Sequence, residues 1–186
     1  MFELFSIISG ILFIISYFFY IHSIFKKETK PQKASWIIWA VTDIIILVTL
    51  FLQKVPNYHL SLAATLGSTI IAILAFKYGT SGWTKTDIIC IITSIIGIAL
   101  WQVYSNPLIA LIILSLTQMI ASIPTVIHAW NKPEEENLIS WGLFLVGGIT
   151  GLLAIRVWIP ENYVFTLAVT LISCPFFIVL FRRKRY

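Results

Sequence analysis

The sequence predicts an all-α membrane protein in which seven transmembrane helices form two parallel three-helix units joined by a linker helix (3+1+3), and three observations predict it. First, 59% of the 186 residues are hydrophobic, 11% are charged and the mean hydropathy is +0.92, whereas soluble domains hold about 45–50% apolar residues. Second, seven apolar segments each approach the ~20 residues a helix needs to cross bilayer hydrocarbon. Third, the stretch SYFFYIHSIFKKETKPQKASWIIWAVTD, Ser16 to Asp43, has an echo in SIPTVIHAWNKPEEENLISW, Ser122 to Trp141. At an offset of 106 residues the echo lays Ile21 on Ile127, His22 on His128 and Lys26 on Lys132; after a one-residue slip in the loop it lays Ser35-Trp36 on Ser140-Trp141. Each copy reads as the end of one helix, a charged turn and the start of the next.

The segments follow in order. The first, 3–25, stops at KKETKPQKA; it lacks a basic leader and continues to full spanning length, so it reads as a span and not a signal peptide. The second, 35–52, opens on Ser35-Trp36 and stops at QKVPNYH, and the third, 60–77, stops at KYGTSGWTK. The fourth, 86–103, ends at YSNP, the fifth, 107–129, at NKPEEEN, the sixth, 138–158, at PEN, and the seventh, 163–181, runs into a basic tail over 182–186. Continuous Ile, Leu and Phe runs of this length are helices, because barrel strands alternate polar and apolar residues over ~10 positions. The chain is then a single transmembrane domain with a first unit at 1–78, a linker helix at 86–103 and a second unit at 107–181. The linker has no counterpart in the echo, and an odd helix there is what lets the second unit enter in the same orientation as the first.

Charge sets orientation and excludes other classes. Eleven Lys and Arg fall in the first, third and fifth loops and the tail, against Lys54 and Arg156 on the opposite face. Basic loops stay in the cytoplasm, so the N-terminus is expected outside and the C-terminus inside a cell membrane. The net charge of +5 resides in these loops, where it meets anionic lipid, and no nucleic-acid partner is expected. Cys90 and Cys174 sit in apolar runs as packing residues, not as a disulfide or metal site. No cofactor is expected, and no enzyme: there is no His-Glu metal motif, Ser-Lys pairing or pair of intramembrane aspartates.

The topology, together with SIPTVIHAWNK and the Ser-Trp helix start that follows it, resembles the SWEET sugar transporters and the wider PQ-loop group, with the nicotinamide riboside transporters as further relatives. The resemblance implies a permease in which a proline inside the first helix of each unit acts as a hinge for alternating access. Pro124 stands in that place in the fifth segment, while the first has Tyr17-Phe18-Phe19 there and Pro31-Gln32 falls in a loop.

Asp43 is the sharpest candidate for chemistry. Eight residues beyond Ser35, it lies ~12 Å into the membrane, where an aspartate costs about 2.5–3.5 kcal/mol and usually faces a cavity or a partner. Trp36 and Trp39 share its helical face at i−7 and i−4. Together they offer an aromatic wall with a carboxylate at its deep end; equally, Asp43 could lock two helices together. The second unit has Trp141, Phe144 and Gly148 at these positions, so any site is asymmetric. Polar stripes on the first helix of each unit, Ser9, Ser16 and Tyr20, and Ser115, Gln118, Ser122 and Thr125, either line a path or bind helices to each other. Gln118, Ser122 and Tyr17 are placed with Asp43, Trp36 and Trp39 as the solute site. Pro124, Gly147 and Gly148 are hinge candidates, and His22 and His128, at equivalent inner helix ends, are gate candidates whose simpler role is to complement the helix dipole. Glu134, Glu135 and Glu136 read as a solvated turn, Arg156 either as a greeter of an anionic solute or, more simply, as the partner of Glu161 in an interfacial ion pair, and Trp83, Trp101, Trp130 and Trp158 as belt residues.

The expected function is therefore a small-molecule permease with a midplane site, its solute a sugar or a small vitamin-like or heterocyclic compound, proton-coupled if Asp43 titrates. Its partners would be that solute and membrane lipids, and a homo-oligomer is compatible with the chain. The alternative is a non-transporting receptor, scaffold or assembly factor.

Overall fold

The computed structural model describes residues 1–55, 58–103 and 106–183, except for the side chains of Trp101, Gln102 and Arg183. The expected basic tail, apart from Arg182, and the belt residue Trp101 thus fall outside the described side chains. Seven α-helices make up the described chain: α1 Phe2–Phe25, α2 Lys33–Leu52, α3 His59–Tyr78, α4 Lys85–Val103, α5 Pro107–Asn131, α6 Leu138–Leu153 and α7 Pro160–Arg183, with a 3₁₀ turn at Pro133–Glu135 before α6.

Local chemistry sets the ends. Asn106 caps α5 by accepting from the N–H groups of Leu108 and Ile109, and Pro107 supplies a first residue that needs no N–H partner. Thr84 and Asp87 form a reciprocal capping box at the start of α4, each accepting from the other's backbone N–H at 3.1 and 2.7 Å. Asn137 caps α6 through the N–H of Ser140. α1 closes with Lys27 at φ 62°, in the left-handed region where glycine is usual, and this lets the Glu28 N–H reach Ser23 O at 3.0 Å.

Among the described residues, five helices, α1, α2, α3, α5 and α7, are long and apolar enough to cross a membrane; α6 is apolar but only 16 residues long, or about 24 Å. The sixth segment expected at 138–158 is therefore shorter. It ends where the Ala154 N–H closes on Thr150 O and Gly151 O; Pro160, which keeps Ile159 out of the helical region, then opens α7 three residues earlier than expected, after a turn closed by Asn162 Nδ2 on Val157 O.

Each helix buries one face. α3 packs against both α1 and α2, α7 against both α5 and α6, α1 on α6 and α2 on α5. These contacts close a ring in the order α1, α3, α2, α5, α7, α6. α4 stands outside it, against α5 and more lightly against α2. Core residues such as Phe13, Tyr20, Ile46, Leu114 and Phe176 point inward, whereas Phe18, Ile73 and Phe76 are about two-thirds exposed on the rim (65%, 67% and 68%). So large an apolar exterior suits lipid, since water-facing apolar patches rarely exceed a few hundred Å².

Candidate functional site

Inside the ring of helices, at the level of Asp43, lies a cavity of about 50 Å³. The side chains that reach it come from α1 (Phe13, Tyr17), α2 (Trp36, Trp39, Asp43), α3 (Ala64), α5 (Gln118), α6 (Trp141, Phe144) and α7 (Val169, Ile172, Ser173). It has room for about four waters, and a cavity of about 150 Å³ is what takes benzene. A ring-sized solute does not fit here as the helices stand.

The walls are aromatic. Trp36 and Trp39 meet edge-on at 4.9 Å between ring centres, Tyr17 packs on Phe144 at 4.7 Å, and Trp141 stacks flat on Phe176 at 3.7 Å. Trp36 and its echo residue Trp141 are neighbours in the wall, with ring centres 6.5 Å apart and planes tilted by 38°. The Trp36 indole N–H lacks a hydrogen bond of good geometry among the described residues, although the Tyr20 hydroxyl lies beside it. A buried donor of this kind is uncommon.

Asp43 is 4% exposed. Its Oδ2 accepts from Ser68 Oγ on α3 at 2.7 Å and its Oδ1 from Gln118 Nε2 on α5 at 2.5 Å. The same amide donates to Thr42 Oγ1 at 3.1 Å, and the Trp39 indole donates to Gln118 O at 3.1 Å. Asp43 thus does both things the sequence left open: it lines the cavity, and it ties α2 to α3 and α5 in a network in which both carboxylate oxygens have a donor.

The other candidates separate. Tyr17, Trp36, Trp39, Asp43 and Gln118 converge on the cavity, while Ser122 lies outside its lining and donates to Met119 O in its own helix. Pro124 is buried inside α5. Gly147 and Gly148 are points of close approach: a Cβ on Gly147 would come 2.7 Å from the Phe13 ring, and one on Gly148 would overlap Thr170 Oγ1. His22 is exposed and stacks on Phe18 at 6.2 Å, whereas His128 is partly buried with Nε2 3.2 Å from Glu135 Oε2; the two histidines do not share an environment. In the polar stripes, Ser9 Oγ donates to Gly147 O at 2.7 Å and so joins α1 to α6, Ser16 donates to Leu12 O, and Ser115 and Thr125 are buried with no hydrogen-bond partner among the described residues. Arg156 takes part in no ion pair among the described residues; it borders an outer recess of about 640 Å³ that Glu3, Tyr58, His59 and Asn162 also line.

Glu136, expected in a solvated turn, is instead 5% exposed and accepts from Tyr20 and Trp141. Ser68, the α3 partner of Asp43, belongs to a weaker polar series of the third segment, Thr65, Ser68 and Thr69, in which nothing local points to Asp43. Trp141 and Phe144 did carry a signal, since they are the echo positions of Trp36 and Trp39.

No protein-family model, curated protein or solved structure matches the chain.

Proposed function

We propose that the protein is a small-solute permease working by alternating access, with its site at the cavity around Asp43. The observation that carries this reading is the cavity itself: a carboxylate and an amide set among aromatic faces, where two sets of three helices meet. Aromatic faces stack on flat rings and the polar groups fix their orientation, which favours a sugar or a vitamin-like heterocycle as solute.

The helix contacts support a 3+1+3 arrangement. Exchanging α1 with α5, α2 with α6 and α3 with α7 leaves the pattern unchanged: α3 between α1 and α2 becomes α7 between α5 and α6, and α1 on α6 becomes α5 on α2. That reciprocity is what a two-fold axis along the membrane normal produces for parallel repeats, with α4 as linker. In this reading all seven helices span a cell membrane, with the N-terminus outside and the basic loops in the cytoplasm. The cavity is then a closed state, and rocking of one trio on the other about Pro124 and the Gly147-Gly148 contact enlarges it.

Reconstituted vesicles test the reading with a panel of labelled monosaccharides and heterocyclic vitamins, measured by counterflow. At least one solute should cross faster than in protein-free vesicles, and Trp36→Ala should slow it at least tenfold. If no member crosses and none raises the melting temperature, the transport reading fails and the receptor or scaffold role takes its place. Should transport be proton-coupled through Asp43, Asp43→Asn will remove its pH dependence.

A further inference from the structure

The three glutamates of the α5–α6 connection part company in the fold. Glu135 gathers the cations: Lys30 Nζ at 2.6 Å, His128 Nε2 at 3.2 Å and Lys132 Nζ at 3.7 Å. Glu136 turns inward, where both carboxyl oxygens accept from the Tyr20 hydroxyl at 3.1 and 3.2 Å and Oε2 accepts from Trp141 Nε1 at 2.9 Å. None of the ion pairs among the described residues includes it.

Among the described residues, the surroundings of Glu136 hold no positive group to balance an anion. α1 presents Tyr20, α6 presents Trp141 and the Asn137 backbone, and the 3₁₀ turn presents Glu135, itself acidic. Lys30 from the α1–α2 loop, His128 from α5 and Lys132 just beyond it are engaged on Glu135, and α7 brings the apolar Phe176 against Trp141. A buried carboxylate facing only neutral donors and a second carboxylate is costly, while the protonated acid is not.

Its position gives this chemistry a use. Trp141 lines the central cavity with one part of its ring and holds Glu136 with its N–H. Tyr20 packs on Trp36 at 5.0 Å and on Trp141 at 6.3 Å. The three side chains therefore plug the cavity on the side of the α1–α2 and α5–α6 loops and fasten α1 to α6, which belong to different trios.

We propose that Tyr20, Glu136 and Trp141 form a proton-latched inner gate, shut while the Glu136 carboxyl carries a proton and opened as that proton passes to cytoplasmic water. The gate rests on the permease reading and its orientation. Burial pushes the Glu136 carboxyl up to about 8 from the ordinary 4.5, outweighing the Trp141 and Tyr20 donors that pull it down, and Glu135 adds to the rise. Opening exposes the group and returns it toward 4.5. The proton therefore favours the shut form: its contribution is complete below about pH 4.5, falls about tenfold per pH unit as the pH rises, and is lost above about 8.

Cysteine accessibility from the cytoplasmic side tests this without knowledge of the solute. In full-length protein carrying Cys90→Ala, Cys174→Ala and Ser173→Cys, a cavity-lining thiol is offered to a membrane-impermeant methanethiosulfonate applied to inside-out vesicles between pH 5.5 and 9, with rates corrected for thiolate fraction. The rate should climb by up to about tenfold per pH unit and level off above about pH 8. Adding Glu136→Gln should hold it at the low-pH value throughout, and Tyr20→Phe should raise it at every pH. A pH slope that survives in Glu136→Gln belongs to another group and overturns the gate, as does a flat profile in the parent. If Glu136→Gln fails to elute as a folded species, Tyr20→Phe decides alone, and an unchanged profile there overturns the gate. A thiol that is never labelled at any pH in any variant sinks the permease reading together with the gate; labelling that ignores pH sinks the gate alone.

Discussion

Gly67 offers the most direct probe of how tightly the site is built. It lies on α3 against the face of the Tyr17 ring, and a Cβ built there would overlap Tyr17 Cγ, Cδ1 and Cδ2 together. An alanine at this position must therefore push α3 off α1 or drive the Tyr17 ring into the cavity. Overpacking of a well-filled core costs about 1–3 kcal/mol, and for a chain of this size each kcal/mol lowers the melting temperature by about 2–4 °C. Gly67→Ala should thus melt about 2–12 °C below the parent in detergent, by intrinsic fluorescence or circular dichroism. Tyr17→Ala alone loses ring packing, but in the double variant the two changes should partly cancel, with a coupling of about 1–3 kcal/mol. Gly142→Ala, whose Cβ would come no nearer than 3.2 Å to the Phe177 ring edge, is the milder control. A Gly67→Ala protein that melts with the parent, or a double variant whose loss equals the sum of the singles, would refute this packing of α1 on α3.

Other outcomes follow from the same contacts. Asp43→Ala strands the Ser68 and Gln118 donors in the interior, and at about 1–3 kcal/mol for each orphaned group it should lower the melting temperature more than Asp43→Asn, which keeps acceptor capacity; equal losses would show that the network does not lock the helices. Ser9→Ala removes the bond to Gly147 O and should cost about 1 kcal/mol, read as a shift of a few degrees in the same assay. Burial raises the Glu135 carboxyl, but Lys30, then Lys132 and His128, outweigh it and hold the group below its ordinary 4.5. Its stabilisation should be complete above about pH 4.5 and fade as the pH falls further, so melting profiles of the parent and Glu135→Gln should differ at pH 7 and converge in acid; curves that stay parallel would argue against the Lys30–Glu135 pair.

Much of the helical layout is legible in the residues alone, because hydropathy and breakers act locally. KKETKPQKA, YSNP and NKPEEEN mark helix ends to within a few positions, and the echo of Ser35-Trp36 in Ser140-Trp141 pairs two indoles that both line the cavity. α6 ends at Leu153 although the apolar run continues to Ile159, so hydropathy alone overran its end. The other misses have long-range causes. Glu136 reads as part of an acidic run because its neighbours Glu134 and Glu135 do; only the fold reveals that Tyr20, 116 residues away, and the first turn of α6 draw it inside. Ser122 looked like its stripe-mate Gln118, yet a one-turn difference along α5 turned one hydroxyl back onto its own helix and aimed the other side chain at Asp43.

The α1–α2 loop and the 3₁₀ turn are also joined by the main chain, through Lys30 N–H on Glu135 O at 3.0 Å. A stitch made of backbone is indifferent to which side chains flank it, so substitutions in these charged loops can retune electrostatics while the two halves remain sewn at one point. Only a residue without an N–H, a proline at position 30, would cut the thread, and any swing of one half against the other must turn about that point or break it.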